Sequence, residues 1–175
     1  MRCLNSRTRA SVCRKRESGG NAMLEWMLVL LPTMALITGF FDITFALFSW
    51  STIQNAVSEG CRYAITFQTI SGDGQDLSIK TTVANDSMGL LTVAGGLIHV
   101  NYYTQAAPTT AIPAPNGNVP GNIVQVSVQS YPLNWMGPLS GTIVDPFRST
   151  SPSTINVYAV SVLSPYPAGV GAVTR

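Results

Sequence analysis

Residues 22–50 read AMLEWMLVLLPTMALITGFFDITFALFSW, and this stretch decides the fold. The sixteen residues from Trp26 to Phe41 carry no charge, and the run from Met23 to Phe41 is interrupted only by Glu25. As a helix, nineteen such residues span roughly 28 Å, close to the ~30 Å hydrocarbon core of a bilayer. Trp26 lies near one end, and Phe40, Phe41, Phe45, Phe48 and Trp50 crowd the other, like the two aromatic belts of a spanning helix. Asp42 is then expected at the outer edge, where a carboxylate is tolerated. A buried core helix is the competing reading, but the run is long for one and the remaining chain is short.

The flanks orient the span. Residues 1–17 hold six cations (Arg2, Arg7, Arg9, Arg14, Lys15, Arg16) and one acid, a net +5. The rest of the chain holds four cations (Arg62, Lys80, Arg148, Arg175) and seven acids, a net −3. A basic head before an apolar run predicts a single-pass arrangement with a cytoplasmic N-terminus and an exported C-terminal part. A secretory signal peptide fits less well, because its apolar region runs about 7–15 residues and ends in small residues. Here the run is longer and ends in bulky aromatics. A lipoprotein signal fits less well still, since no apolar stretch precedes Cys13.

Composition narrows the function classes. Of 175 residues, 46% are hydrophobic and only 10% charged, and the mean hydropathy is positive. That combination argues against disorder. A net charge of +2 cannot neutralise many phosphates, so nucleic acid is not an expected partner. The single histidine, His99, rules out multi-histidine metal sites.

The boundary between head and span reads Lys15-Arg16-Glu17-Ser18-Gly19-Gly20-Asn21-Ala22-Met23-Leu24-Glu25. A short basic leader ends in glycine, and a glutamate follows five residues later inside the apolar run. This resembles the processing site of type IV prepilins. Further along, residues 22–32 read AMLEWMLVLLP, 38–47 read TGFFDITFAL, and 53–64 read IQNAVSEGCRYA. Together these resemble the TadE-like family, pseudopilins of the tight-adherence (Tad, or Flp) pilus system. That family typically shows an A-x-x-E-F-A-L-x-x-P-like run, then G-x-x-D, then a Q-N-A-x-x-E-G-A-R-Y-A-like tail. The tail is the most specific part, with Gln54-Asn55-Ala56, Glu59-Gly60 and Arg62-Tyr63-Ala64 in place. Trp26 stands where phenylalanine is usual, and Cys61 where alanine is usual; neither alters the charge pattern.

The resemblance implies a mechanism. A membrane-embedded prepilin-type peptidase would cut between Gly20 and Asn21 on the cytoplasmic side, and the helix would remain as the stalk of the mature protein. Glu25 would become the fifth mature residue. The implied partners are the membrane, that peptidase, other pilins and the Tad assembly platform, with no cofactor and no small-molecule substrate. Physical chemistry gives Glu25 a role: a carboxylate in an apolar helix is expensive unless paired. Cleavage creates an ammonium at Asn21, its neighbour as i and i+4 within one helix, or its partner across two helices in a bundle. The alternative is a Glu25 that simply sits in the headgroup layer. Pro32 removes one backbone bond inside the helix, so neighbouring groups must take up the freed carbonyl. Thr33, Ala35 and Gly39 lie nearby and would allow close helix approach.

Beyond Trp50, Ile53, Ala56, Val57, Gly60, Cys61, Ala64 and Ile65 fall on one helical stripe, which predicts an amphipathic stalk to about Phe67. Ser71-Gly72-Asp73-Gly74 ends it with turn chemistry. Asp76 is placed to cap a second helix running to about Met88, with Gly89 just past its end and Ile79, Val83 and Met88 facing inward. Three strands are expected, at Leu97–Tyr103, around the alternating Val124, Val126 and Val128, and at Ile155–Leu163. Residues 107–122 and 131–152 are expected loops, and Pro165–Arg175 a loose tail. The expected fold class is α+β. It has a basic leader (1–20), a transmembrane and stalk helix (21–66), and an exported domain (67–175) with a helix on an antiparallel sheet of about three strands.

Catalytic chemistry is poorly supplied. His99 has only Cys61 or a serine to serve as a base, and no nucleophile-elbow motif is present. Asp73-Gly74-Gln75-Asp76 echoes a calcium loop but lacks its full ligand spacing and terminal glutamate. Removing the leader would take Cys3 and Cys13 with it and leave Cys61 alone, either as a small apolar residue in a helix contact or as a link between two stalks. Two functional classes follow. One is a non-enzymatic assembly protein of a Tad-type pilus, serving adhesion, biofilm formation or secretion. The other is an uncleaved single-span protein with an exported ligand-binding or enzymatic domain.

Overall fold

The computed structural model describes residues 19–70, 72–133, 153–166, 168, 171 and 173–175. The basic head, Ser71 of the expected turn, most of the loop between the last two strands and four tail positions lie outside the described residues. The chain divides into two units, Met1–Ile37 and Thr38–Arg175, and one helix, α1 (Gly19–Ile65), runs through their boundary.

In the first unit the large apolar side chains of α1 from Met23 to Leu31 are all exposed, Leu28 at 77%. No stripe is sheltered, so the helix is apolar all round, the pattern of a segment that meets lipid or other helices. Pro32 sits inside the helix without ending it. Its ring nitrogen cannot donate to the Leu28 carbonyl. The Thr33 hydroxyl donates to the Val29 carbonyl at 2.7 Å, one position on from the carbonyl that Pro32 frees.

In the second unit α1 becomes one-sided. Asp42, expected at an outer edge, is in fact buried at 6% exposure. It opens a buried stripe that continues through Ser49, Ile53, Ala56, Val57, Cys61 and Ala64 to Phe67, at the three- and four-residue spacings of one helix face. Ile65, placed on the stripe by spacing, is only half-buried. The opposite face carries the exposed Gln54, Asn55, Ser58, Glu59 and Arg62.

Helix α2 spans Gln75–Asp86. It starts with Gly74 as its N-cap residue, so Asp76 lies in the first turn and does not cap it. It stops two residues earlier than expected, where Ser87 returns its N–H to the Val83 carbonyl at 3.1 Å. Ile79 and Val83 face inward, while Met88, expected beside them, is 77% exposed with a φ of +53° that turns it off the helix.

Among the described residues four strands form one antiparallel sheet in the order β2-β1-β3-β4: β1 (Ile98–Thr104), β2 (Ala107–Ala111), β3 (Ile123–Pro132) and β4 (Thr154–Val162). The fourth strand, β2, lies where a loop was expected. All five of its residues are exposed and one is Pro108, so no alternation betrays it. An edge position is where a proline-containing strand is tolerated. On the inner face Ile98, Val100 and Tyr102 of β1 meet Val124, Val126 and Val128 of β3 and Ile155 and Val157 of β4. The C-terminal half of α1 and α2 join them in a single core. Each fully buried aliphatic side chain there contributes about 1.5–3 kcal/mol.

The expected loose tail is tied down instead. Just before it, Ser164 donates to the Ile65 carbonyl at 2.9 Å; within it, the Tyr166 ring packs on Phe67 at 4.6 Å between centroids, and Arg175 pairs with Asp76 at 2.9 Å.

Candidate functional site

Gly20 and Asn21 lie in the first turn of α1, which begins at Gly19. Glu25 follows four residues after Asn21 on the same helix face, about 6 Å along the axis. Its side chain is exposed among exposed apolar neighbours, Met23, Leu24, Trp26, Met27 and Leu28. In the intact chain the nitrogen of Asn21 is an amide. Only a cut before it would create a cation one turn from the carboxylate. Once that surface is withdrawn from water, an unpaired Glu25 is costly, and a charge one helical turn away or on an adjacent helix offsets the cost.

The structure also explains the 53–64 segment. Its small residues face the domain and its polar ones face away. Ala56 and Ala64 are fully buried. Gly60 lies against α2, where an added β-carbon would overlap the Val83 side chain. Glu59 and Arg62 form an exposed ion pair at 3.1 Å, which contributes little to stability. The motif's interior half is therefore required by packing, whereas among the described residues the charged half pairs only with itself.

Cys61, a candidate contact between subunits, lies in the core of its own chain at 3% exposure. Its sulfur is 3.9 Å from the Val124 carbonyl on β3, and burial pushes the thiol up to about 11. Facing its own sheet, it presents no sulfur to a neighbouring stalk. His99 stands on β1 opposite Ser127 with its side chain exposed. The turn 73–76 serves the start of α2: the Gly74 carbonyl accepts from the Ser78 amide at 3.0 Å, and the Asp76 carboxylate accepts from Tyr102 and Arg175 at 2.9 Å each. Among the described residues no group of three His, Cys, Asp or Glu is placed to hold a metal ion.

Three residues that sequence reasoning passed over prove central to the domain. Gln75, fully buried, donates its side-chain amide to the Ala64 carbonyl at the end of α1 at 3.0 Å. Asn118 donates to the Gln75 side-chain oxygen at 3.0 Å and to the Val173 carbonyl at 2.6 Å. Arg175 is one of only four cations outside the head, and that scarcity is the signal a closer reading has for it.

Among the described residues one helix, counted from Ala22 to Ile65, is long and apolar enough to cross a membrane, which fits a membrane-anchored protein. No curated protein and no solved structure matches the chain. Over the helix just described, residues 20–62 match the family described as TadE-like protein, so the segment from Gly20 to Arg62 is similar to that family.

Proposed function

We propose that this chain is a minor pilin-like subunit, a pseudopilin, that acts in the assembly of a Tad (Flp) pilus. Residues 1–20 are a cytoplasmic leader that a prepilin-type peptidase removes between Gly20 and Asn21. The helix from Asn21 stays in the inner membrane as an anchor and lateral docking surface, and the domain from residue 67 onward is extracytoplasmic. The work of such a protein is packing rather than turnover. Its partners are the peptidase, other pilins and the platform proteins, and no cofactor, nucleic acid or small-molecule substrate enters the reading.

The observation that carries this reading is the start of the family match. It begins at Gly20, one residue after α1 begins, with a basic stretch before it and Glu25 inside the first apolar turns after it. Crosslinking in the native membrane, followed by co-purification, tests the role. A TadE-like subunit is recovered with the other pilins of the same system, and deleting it lowers pilus number. A chain recovered with no pilin or platform protein, whose deletion leaves pili unchanged, contradicts the proposal.

A further inference from the structure

The last three residues lie in a groove between the start of α2 and the segment 112–118. The Arg175 side chain is only 8% exposed. Its Nε donates to Asp76 at 2.9 Å, and Nη1 donates to the carbonyls of Ile112 at 3.1 Å and Asn116 at 2.6 Å. The guanidinium lies 4.5 Å over the Tyr102 ring, and the Tyr102 hydroxyl donates to the other Asp76 oxygen at 2.9 Å. The two residues before it are held by their backbone. The Thr174 carbonyl accepts from the Gln75 amide at 2.9 Å and the Val173 carbonyl from Asn118 at 2.6 Å.

The walls of the groove are also bonded directly to one another. The Asp76–Tyr102, Asn118–Gln75 and Gln75–Ala64 hydrogen bonds join α1, α2, β1 and the 112–118 loop to one another. Gly74 leaves room for the occupant, since a β-carbon there would lie 2.7 Å from the Arg175 carbonyl oxygen. A carboxylate, two convergent carbonyls and an aromatic face match the fork and plane of a guanidinium, which an ammonium does not reproduce. Two backbone carbonyls read in succession are the mark of an extended peptide.

We propose that this groove is a recognition site for an extended, arginine-bearing peptide segment, filled in this molecule by the chain's own Val173–Arg175. Every contact to the occupant is non-covalent, so the site accepts the same segment offered in trans. The inference stands on the Thr38–Arg175 unit alone and does not depend on the pilus reading.

The test uses the full chain in detergent with residues 173–175 removed, melted with and without the peptide Gly-Ala-Val-Thr-Arg. The shortened chain should melt about 5 °C or more below the parent, and saturating peptide should restore it. A peptide ending in alanine should bind at least about tenfold more weakly, and Asp76→Asn should abolish the rescue. If the shortened chain does not fold, Arg175→Ala keeps the backbone of the segment, and millimolar ethylguanidinium should raise its melting temperature but not that of Asp76→Asn/Arg175→Ala. Parent-like melting of the variants, equal rescue by the alanine peptide, or a loss of stability that neither peptide nor ethylguanidinium restores overturns the proposal.

Discussion

Gly60 of α1 and Val83 of α2 meet so closely that a β-carbon on Gly60 would overlap the Val83 Cγ2 methyl. The glycine of the Glu59-Gly60 pair is therefore the crossing point that lets α2 lie against the stalk, and backbone flexibility is not its purpose. Gly60→Ala should destabilise the chain by about 1–3 kcal/mol through overpacking, more than the ~1 kcal/mol alanine gains as a helix former. Val83→Ala alone should cost about 2 kcal/mol. The double variant should be more stable than the sum of the two losses by about 1 kcal/mol or more. Denaturant titration of all three variants in one detergent measures this, and strictly additive losses contradict the crossing.

The burial of Cys61 gives a reactivity and a pH prediction. With Cys3 and Cys13 replaced by serine, the folded chain should resist alkylation at pH 8 and react once denatured, because the thiolate is the nucleophile. The folded thiol titrates near 11 against an ordinary 9.0, so the unfolded chain releases this proton first. Stability from this group is complete below pH 9 and falls as pH rises from about 9 to about 11, by on the order of 2 kcal/mol. Cys61→Ala should lose that component, and a parent and variant with the same pH profile over this window rule it out.

Glu25 separates cleavage from assembly. It lies beyond the proposed cut, so Glu25→Gln should still be processed, at least in part, whereas Gly20→Val should leave the precursor in the membrane. The processed Glu25→Gln helix would carry an unpaired ammonium. Losing one partner of a buried pair costs about 3–5 kcal/mol, and near the headgroups the loss falls to ~1 kcal/mol. Repeated over many contacts, even the smaller figure should lower co-purification with partner pilins well below the parent level. Normal assembly of a processed Glu25→Gln chain reduces Glu25 to an interfacial carboxylate.

The charge asymmetry predicts topology. A reporter active only outside the cytoplasm, fused after Arg175, should be active, and one active only in the cytoplasm should be silent. The reverse pattern contradicts the proposed orientation.

The helical half of the fold was legible because its signals are local. The apolar run, the stripe from Ile53 to Ala64 and the inward pair Ile79 and Val83 follow from spacing alone, and the valine alternation announces β3. What escaped depends on partners distant in sequence. β2 carries no apolar pattern because an exposed edge strand needs none. Asp42 reads as a surface carboxylate because nothing local marks a carboxylate for burial, yet it is 6% exposed. Cys61 reads as a contact on a free stalk until the sheet is placed beneath it. The C-terminal segment reads as loose because its hydrogen bonds go to Gln75, Asp76 and Asn118, residues 55 to 99 positions away whose polar character alone gives no pairing signal. The processing site is the opposite case: Gly20, Asn21 and Glu25 are legible only as a motif, and the geometry adds the one-turn spacing between Asn21 and Glu25.

The central claim is that the chain is a cleaved pilin-like subunit, and the residue at its mature N-terminus tests it most directly. The chain is expressed with and without a prepilin-type peptidase, extracted from the membrane, and read by N-terminal sequencing and intact mass. The account predicts a chain beginning at Asn21 when the peptidase is present and the full-length precursor when it is absent. An uncut chain in the presence of the peptidase, or a mature start near Ser51, contradicts it.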